Sequence, residues 1–294
     1  MSSQLILQSL VSGILVGGIY GLVALGLALA FGVLKVLDVA HGELVMLGGY
    51  VSFFAFTYWG LDPFVSMPLV FVVMFSFGLI FYLLLFRHVT RTEIHTRIKN
   101  SLLISFGLVL VLQTLAVRFF TADERTISTT YSLEAFTIGS VRVPVVRLGG
   151  LVVAVVAAVA LEWMMSRTRF GRALRATSED WSRAALTGVN VKRVYLIAFA
   201  ISAALAGIAG SMVSLGYSVS PNIGLEWTLN ALIVVVLAGL GSMRGIIVAA
   251  LFLGGVESLA GIWIGSQYRE VAALVLFLVV LSFRPQGFFG RAHA

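Results

Sequence analysis

The sequence predicts an all-α fold, a polytopic transmembrane helical bundle of about eight helices with its N-terminus outside and its C-terminus in the cytoplasm. Of its 294 residues, 60% are hydrophobic and only 11% are charged, whereas a soluble domain carries about 25% charged residues. Runs 5–34, 44–61 and 63–87 each approach or exceed the roughly 20 apolar residues that cross a bilayer core. We therefore expect one transmembrane domain, residues 1–294.

The distribution of basic residues predicts the orientation. Residues 87–100 contain four Lys/Arg and one Glu, and residues 167–193 contain seven Lys/Arg and two acidic residues. Because cytoplasmic loops of membrane proteins are enriched in Lys and Arg, both loops should face the cytoplasm, as should the tail from Arg284. The net charge of +7 is concentrated in such short stretches beside apolar segments, so nucleic-acid binding is not expected.

The apolar segments are then assigned in chain order. An even number of crossings must separate the two basic loops, which places residues 121–147 outside. The first six predicted spans are 5–36, 44–60, 64–86, 101–120, 148–166 and 194–213. Residues 228–283 cross once or three times; turns at 239–245 and 265–270 favour three crossings, of which some must be short, tilted or broken.

Small residues recur every four positions on two of these spans. Gly13, Gly17 and Gly21 form one such face, and Ala203, Gly207 and Ser211 form another. Faces of this kind let helix backbones approach closely in lipid. They predict packing within the chain or, alternatively, contact with a second membrane subunit.

Residues 34–50, LKVLDVAHGELVMLGGY, gather four ionisable residues between apolar runs: Lys35, Asp38, His41 and Glu43. They could form a catalytic cluster, a metal site, part of a transport path or a polar turn. The chain has no HExxH zinc pair and no Gly-x-Ser-x-Gly turn, so we do not expect an enzyme. The absence of cysteine removes thiolate catalysis and cysteine-ligated metals. Capping of a cytoplasmic helix junction is the favoured interpretation, with Glu43 in the first turn of the next helix.

Glu257 is the other conspicuous charge, in the apolar stretch 246–263. A carboxylate at membrane depth usually faces a cavity or a partner. Glu257 is therefore either a pore-lining or gating group or half of a structural hydrogen-bonded pair. Asn230 and Arg118 are the partners that we consider.

The chain has no GxxxxGK[ST] phosphate loop, so any use of ATP requires another subunit. A short amphipathic helix is predicted at about 177–188 in the second basic loop. Thr177 and Asp180 have the spacing of a capping box, and Gly188 can end the helix as a left-handed cap. This segment is a place to dock an ATPase or, alternatively, a solvated loop.

Four stretches closely resemble the permease subunits of branched-chain amino acid ABC transporters, of the LivH type. They are GGIYGLVALGLALAFGVLKVLDVAHGELVMLGGY (17–50), the segment 176–210, GLGSMRGIIVAALFLGG (239–255) and RPQGFFG (284–290). The resemblance covers nearly the whole chain in the right order. It implies an importer permease in the bacterial inner membrane that pairs with a LivM-like second permease, two cytoplasmic ATPases and an extracytoplasmic binding protein, in contact with lipid. This chain would bind no cofactor, and ATP would be used by the partner subunits.

The resemblance also implies roles for individual residues. The coupling helix, which seats in the ATPase, would contain Glu179, Asp180, Ala184, Ala185 and Gly188. Asp38, His41 and Glu43 lie in the family's signature, and together with Asn230 and Glu257, singled out above by their polarity, they are the expected residues of the translocation path or gate. Branched-chain and other hydrophobic amino acids are the expected substrates, while urea, short amides and aromatic or other carboxylic acids stay open. A secondary transporter or channel working alone is the alternative from another class.

Overall fold

A computed structural model describes residues 3–90, 93–239, 242–284 and 286–290, with side chains except at positions 3, 94, 95, 138 and 244. The predicted domain 1–294, the loop 87–100, the turn 239–245 and the stretch 284–290 thus lie partly outside the described residues. The long helices are joined by short connections, apart from an elaborated segment between residues 121 and 144.

The helices account for most of the described chain. In order they are α1 (Ser3–Leu34), α2 (His41–Trp59), α3 (Pro63–Phe81), α4 (Arg87–Val89), α5 (Ile94–Phe120), α6 (Val145–Arg167), α7 (Arg169–Glu179), α8 (Trp181–Leu186), α9 (Val191–Gly216), α10 (Gly224–Ala238), α11 (Met243–Trp263) and α12 (Arg269–Phe283). A π-helical turn, Tyr82–Phe86, joins α3 to α4, and a 3₁₀ turn, Ser266–Tyr268, precedes α12.

Seven segments of the described chain are long and apolar enough to cross a membrane. They correspond to α1, α3, α5, α6, α9, α11 and α12. Helix α10 is apolar but has only 15 residues, or roughly 22 Å at 1.5 Å per residue, less than a bilayer core. The all-α polytopic fold is confirmed, and three helices follow residue 223, the first of them short. Which end faces the cytoplasm stays a prediction.

Helices α1 and α9 are the most buried spans of the described chain, and close backbone contacts surround them. A Cβ placed on Gly13 or Gly17 would lie within 3.0 Å of backbone atoms of α11. Gly207 of α9 meets Gly48 of α2 in the same way. Glycine is required at these points because any side chain would separate the helices. The two small-residue faces therefore pack within the chain.

Residues 121–147, expected to be an external loop, contain secondary structure of their own. Strands β1 (Ala135–Ile138) and β2 (Val141–Pro144) form an antiparallel hairpin. The side chain of Gln8 holds this hairpin against α1 by bonding to both the amide and the carbonyl of Arg142.

Tyr131 anchors the same segment to the start of α3. Its hydroxyl donates to the carboxylate of Asp62, the N-cap residue of that helix. Burial and this bond raise the pKa of Tyr131 to about 12, so the phenol stays protonated and keeps donating at physiological pH.

The predicted loop 87–100 is largely helical in its described part. Helix α3 continues through the π-helical turn to Val89, and α5 already begins at Ile94. The basic residues suggested a solvent-exposed loop, but Arg97 is buried inside the protein. The predicted loop boundary was therefore wrong. The second basic loop, residues 167–193, is likewise mostly helical, since it contains α7 and α8.

Candidate functional site

The charged cluster lies inside the helical bundle. Helix α1 ends at Leu34, and Lys35 reverses the chain with a left-handed φ of 54°. His41, the first residue of α2, then sits beside Val23 and Gly26 of α1. These residues precede the end of α1 by eight to eleven positions, or roughly 12–17 Å. The connector 35–40 thus runs back along the helix that it follows.

Glu43 lies in the first turn of α2 as expected, but the junction is buried instead of lying at a surface. Asp38 is 1% exposed, and His41 and Glu43 are 0% exposed. A turn at the membrane surface would leave such groups in water. Two apolar residues of the connector, Val36 and Ala40, are also fully buried, which favours this inward course.

The connector obtains its backbone hydrogen bonds from side chains on other helices. The amide of Leu37 donates to Ser101 Oγ at 3.0 Å, and Ser105 Oγ donates to the carbonyl of Leu37 at 3.3 Å. Thr228 Oγ1 accepts from the amide of Gly42 at 2.8 Å and lies 3.0 Å from the carbonyl of Val39. Since buried backbone groups need partners, serines of α5 and a threonine of α10 make this course possible.

Asp38 and His41 form a local pair at the start of α2. Asp38 Oδ1 accepts from the amide of Ala40 at 3.1 Å, and Oδ2 lies 3.9 Å from His41 Nδ1. His41 Nε2 is 3.2 Å from the carbonyl of Val23, so this nitrogen carries a proton and donates. The bond from His41 to Val23 fixes the first turn of α2 to the middle of α1.

Glu43 points away from that pair, as expected for positions two apart on a helix. Its Oε1 accepts from Gln113 Nε2 of α5 at 3.0 Å, whereas its Oε2 has no hydrogen-bond partner among the described residues. Asp38, His41 and Glu43 therefore do not converge, and no group of three His, Asp or Glu suited to a metal occurs in the described ranges.

The carboxylate of Glu43 lies against the first turn of α10. A Cβ on Gly224, the first residue of that helix, would fall within 3.0 Å of both carboxylate oxygens. A Cβ on Gly42 would collide with the carbonyl of Gly224. Two glycines thus bring the beginnings of α2 and α10 together, with Glu43 between them.

Glu257 belongs to a separate site, and its partner differs from those expected. Tyr20 of α1 donates its hydroxyl to Glu257 Oε2 at 2.9 Å. The ring of Tyr20 packs edge-on to Trp227, which in turn packs edge-on to Tyr217. Glu257 thus does form a hydrogen-bonded pair, and its partner is Tyr20.

Neither of the two partners that we considered makes this contact. Asn230 is buried in α10, and no bond from it to Glu257 is present, while Arg118 is exposed on α5. Glu257 Oε1 has no hydrogen-bond partner among the described residues. Whether Asn230 and Glu257 line a path or a gate stays a prediction.

The predicted coupling segment consists of the end of α7 and the whole of α8. Asp180 is the N-cap of α8, since its Oδ1 accepts from the amides of Ser182 and Arg183 at 2.9 and 3.1 Å. Gly188 follows the helix with a φ of 85°. Thr177 is not the cap: it lies within α7 and donates to the carbonyl of Ala173. The predicted capping box is therefore not formed. The N-cap of α8 is Asp180, and Thr177 belongs to the preceding helix.

Helix α8 presents apolar side chains to the outside of the subunit. Ala184 is buried against the rest of the chain, whereas Ala185 is exposed. Leu186 is 87% exposed, and Trp181 is also exposed. Arg183, paired with Asp180, is likewise exposed. A six-residue helix with a Trp and a Leu facing outwards is suited to contact with another protein.

Several of these residues were missed in the sequence. Gln113, Ser101 and Ser105 look like ordinary polar interruptions of one apolar span. Arg97 looked like part of a solvated basic loop, yet its guanidinium lies 3.1 Å from the carbonyl of Leu34 and 3.3 Å from the hydroxyl of Tyr195. A cation bonded to the last carbonyl of α1 stabilises that helix end. The only sequence signal for a role of these residues was that they are polar and lie in or beside an apolar span.

Comparison with known proteins gives a consistent result. A family described as branched-chain amino acid transport system / permease component matches residues 9–282. The high-affinity branched-chain amino acid transport system permease protein BraD of Pseudomonas aeruginosa is 31% identical over 97% of this chain and 96% of its own length. LivH of Escherichia coli K12, with the same description, is 29% identical over 99% and 98%. The probable LivH of Methanocaldococcus jannaschii is 25% identical over 92% and 88%. No solved structure shows significant similarity to the chain.

Proposed function

The chain belongs to the branched-chain amino acid transport system / permease component family and is a multi-pass integral membrane protein. From that premise we propose that it is the membrane-spanning permease of an ABC importer that moves branched-chain and other hydrophobic amino acids into the cytoplasm. The observation that carries the proposal is its similarity over nearly the full length to BraD and LivH. The compartment that we propose is the bacterial inner membrane.

The chain has no nucleotide-binding loop, so ATP would be bound by another subunit, and the family resemblance supports the other proposed partners. Two cytoplasmic ATPase subunits supply the energy, an extracytoplasmic binding protein delivers the substrate, and a second, LivM-like permease completes the membrane part. The chain itself catalyses no reaction and binds no cofactor, and ATP is consumed by its partners.

The exposed helix α8 is the proposed contact with an ATPase. Trp181 and Leu186 provide an apolar surface, while Asp180 caps the helix and Gly188 ends it. Only residues 187–190 separate α8 from α9. A displacement of α8 therefore acts directly on the first turn of α9.

Helix α9 can pass such a displacement into the centre of the subunit. It meets α2 at Gly207 and Gly48, and the carbonyl of its Ser202 lies against Gly26 of α1. Contacts between backbones leave little room for side chains to absorb motion, so the helices move as rigid bodies. The start of α2, with Asp38, His41 and Glu43, lies next to this contact, which supports a role for that region in the path or gate.

A stand-alone transporter or channel is the competing function. The complete transporter and the permease subunits alone should therefore be reconstituted in liposomes with leucine-loaded binding protein outside and ATP available to the ATPases. We expect leucine uptake only with the ATPases and ATP. Equal uptake by the permease subunits without ATP would contradict the importer function.

A further inference from the structure

One carboxylate oxygen of Glu43, Oε2, has no hydrogen-bond partner among the described residues. The side chain is fully buried, and its Oε1 is bonded to Gln113. The ion pairs formed by those residues do not include Glu43. A buried carboxylate is costly unless it is paired, so the position calls for a cation or a donor from outside the chain.

Two helix N-termini lie beside Glu43, and its own carboxylate disfavours a second carboxylate nearby. Glu43 lies in the first turn of α2 and also against the first residue of α10, Gly224. The N-terminus of α10 has no side-chain cap. Two helix N-termini therefore direct partial positive charge at one carboxylate. A ligand carboxylate brought to the same point would be repelled by Glu43.

The oxygen of Glu43 that has no partner among the described residues can accept hydrogen bonds. Besides Glu43 Oε2, the amide oxygen of Gln113 is an acceptor on the side chain that already contacts Glu43. An ammonium group has three N–H donors and a full positive charge, which matches acceptors beside a carboxylate. Half-buried Gln113 is the residue through which a ligand would approach.

This approach opens only if α5 moves away from the start of α2. Its outer side chains are largely exposed, among them Leu103, Phe106 and Leu110. Toward the connector and the start of α2 it is held by the polar contacts of Ser101, Ser105 and Gln113. Parting α5 from α2 at Gln113 would uncover Glu43.

We propose that Glu43, with Gln113, binds the α-ammonium group of the transported amino acid, so that the permease itself selects amino acids over acids, amides and urea. This inference rests on the proposed function. It assigns substrate selection to the membrane subunit in addition to the binding protein.

The first test uses leucine fragments as competitors in the reconstituted complete transporter. 3-Methylbutylamine has the ammonium without the carboxylate, 4-methylpentanoate has the carboxylate without the ammonium, and 4-methylpentanamide has a neutral amide. Each is used at a concentration that does not displace leucine from the soluble binding protein. The amine should inhibit ATP-driven leucine uptake, and the acid and the amide should not. Absence of inhibition by the amine, or equal inhibition by the acid or the amide, would overturn the proposal.

The second test is Glu43→Gln, which keeps the shape and the acceptor for Gln113. We expect leucine uptake to fall about tenfold or more, the loss of a charge-assisted bond, while hydrolysis stimulated by loaded binding protein stays close to that of the wild type. Residual uptake should no longer respond to the amine. The matched control is Glu226→Gln, an exposed carboxylate near the start of α10, which should behave as the wild type.

The outcomes separate this inference from the proposed function. Leucine uptake by the wild type that does not depend on ATP would contradict the proposed importer function itself. Normal ATP-driven uptake by Glu43→Gln would remove only the inference. If Glu43→Gln does not assemble, the competitor experiment on the wild type still decides.

Discussion

At the scale of single residues, the polar groups inside this protein are held by partners far away in the chain. Glu43 bonds to Gln113, 70 positions on, and Gly42 bonds to Thr228, 186 positions on. The sequence shows which residues are unusual, because a charge within an apolar run is rare. It cannot show their partners, since these depend on helix packing. Glu257 illustrates this limit, because its partner is Tyr20 of α1.

The Tyr20–Glu257 pair allows the two interpretations of Glu257 to be separated. Tyr20→Phe removes the donor to Glu257 and keeps the ring packing on Trp227. If the pair is structural, the variant should lose about 0.6–1.7 kcal/mol of stability, as is typical of bonds between membrane helices.

Two quantities are measured on the Tyr20→Phe variant: the thermal unfolding temperature of the complete transporter and its leucine uptake. A lower unfolding temperature with normal uptake per folded transporter supports the structural interpretation. The same two measurements on Glu257→Gln test the other interpretation. A clear loss of leucine uptake with an unchanged unfolding temperature would assign Glu257 to the path.

At the scale of helices, close backbone contacts determine the arrangement. Helices α1 and α11 run antiparallel, since Gly13 faces Gly254 and Gly17 faces Ala250. The spacing of the glycines in the sequence predicted such faces, because four positions return to the same side of a helix. Which helix would occupy each face was not predictable, because many apolar helices fit a smooth glycine surface.

Substitution of Gly17 by Leu tests the contact between α1 and α11. A Cβ at Gly17 already meets the backbone of α11, so a larger side chain must push the two helices apart. We expect a loss of about 1–3 kcal/mol in stability, seen as a lower unfolding temperature of the purified complex.

Gly32→Leu is the matched control on the same helix, because a Cβ there meets nothing within 4 Å. Its unfolding temperature should stay near that of the wild type. Equal effects of the two substitutions would show that leucine at glycine positions of α1 matters for a reason other than the contact.

At the scale of the whole molecule, composition and charge were sufficient to predict a polytopic helical membrane protein. The inward course of residues 35–40 was not predictable, because its backbone bonds come from Ser101, Ser105 and Thr228 on other helices. The boundaries in the basic loops also differ from the prediction, since Arg97 lies within α5 and Thr177 belongs to α7 instead of capping α8. The proposed function requires that α8, through α9, connects an ATPase to the start of α2.

Uncoupling at α8 is the most direct test of that account. The variants are Ala185→Asp, which places a charge on the exposed face of α8, and Gly188→Pro, which cannot adopt the φ of 85°. The measurement is leucine uptake per ATP hydrolysed by reconstituted transporters, after equal membrane insertion of the chain has been checked. We predict that hydrolysis continues in both variants while uptake is lost. Unchanged leucine uptake in either variant would contradict the claim that α8 couples this permease to its ATPase.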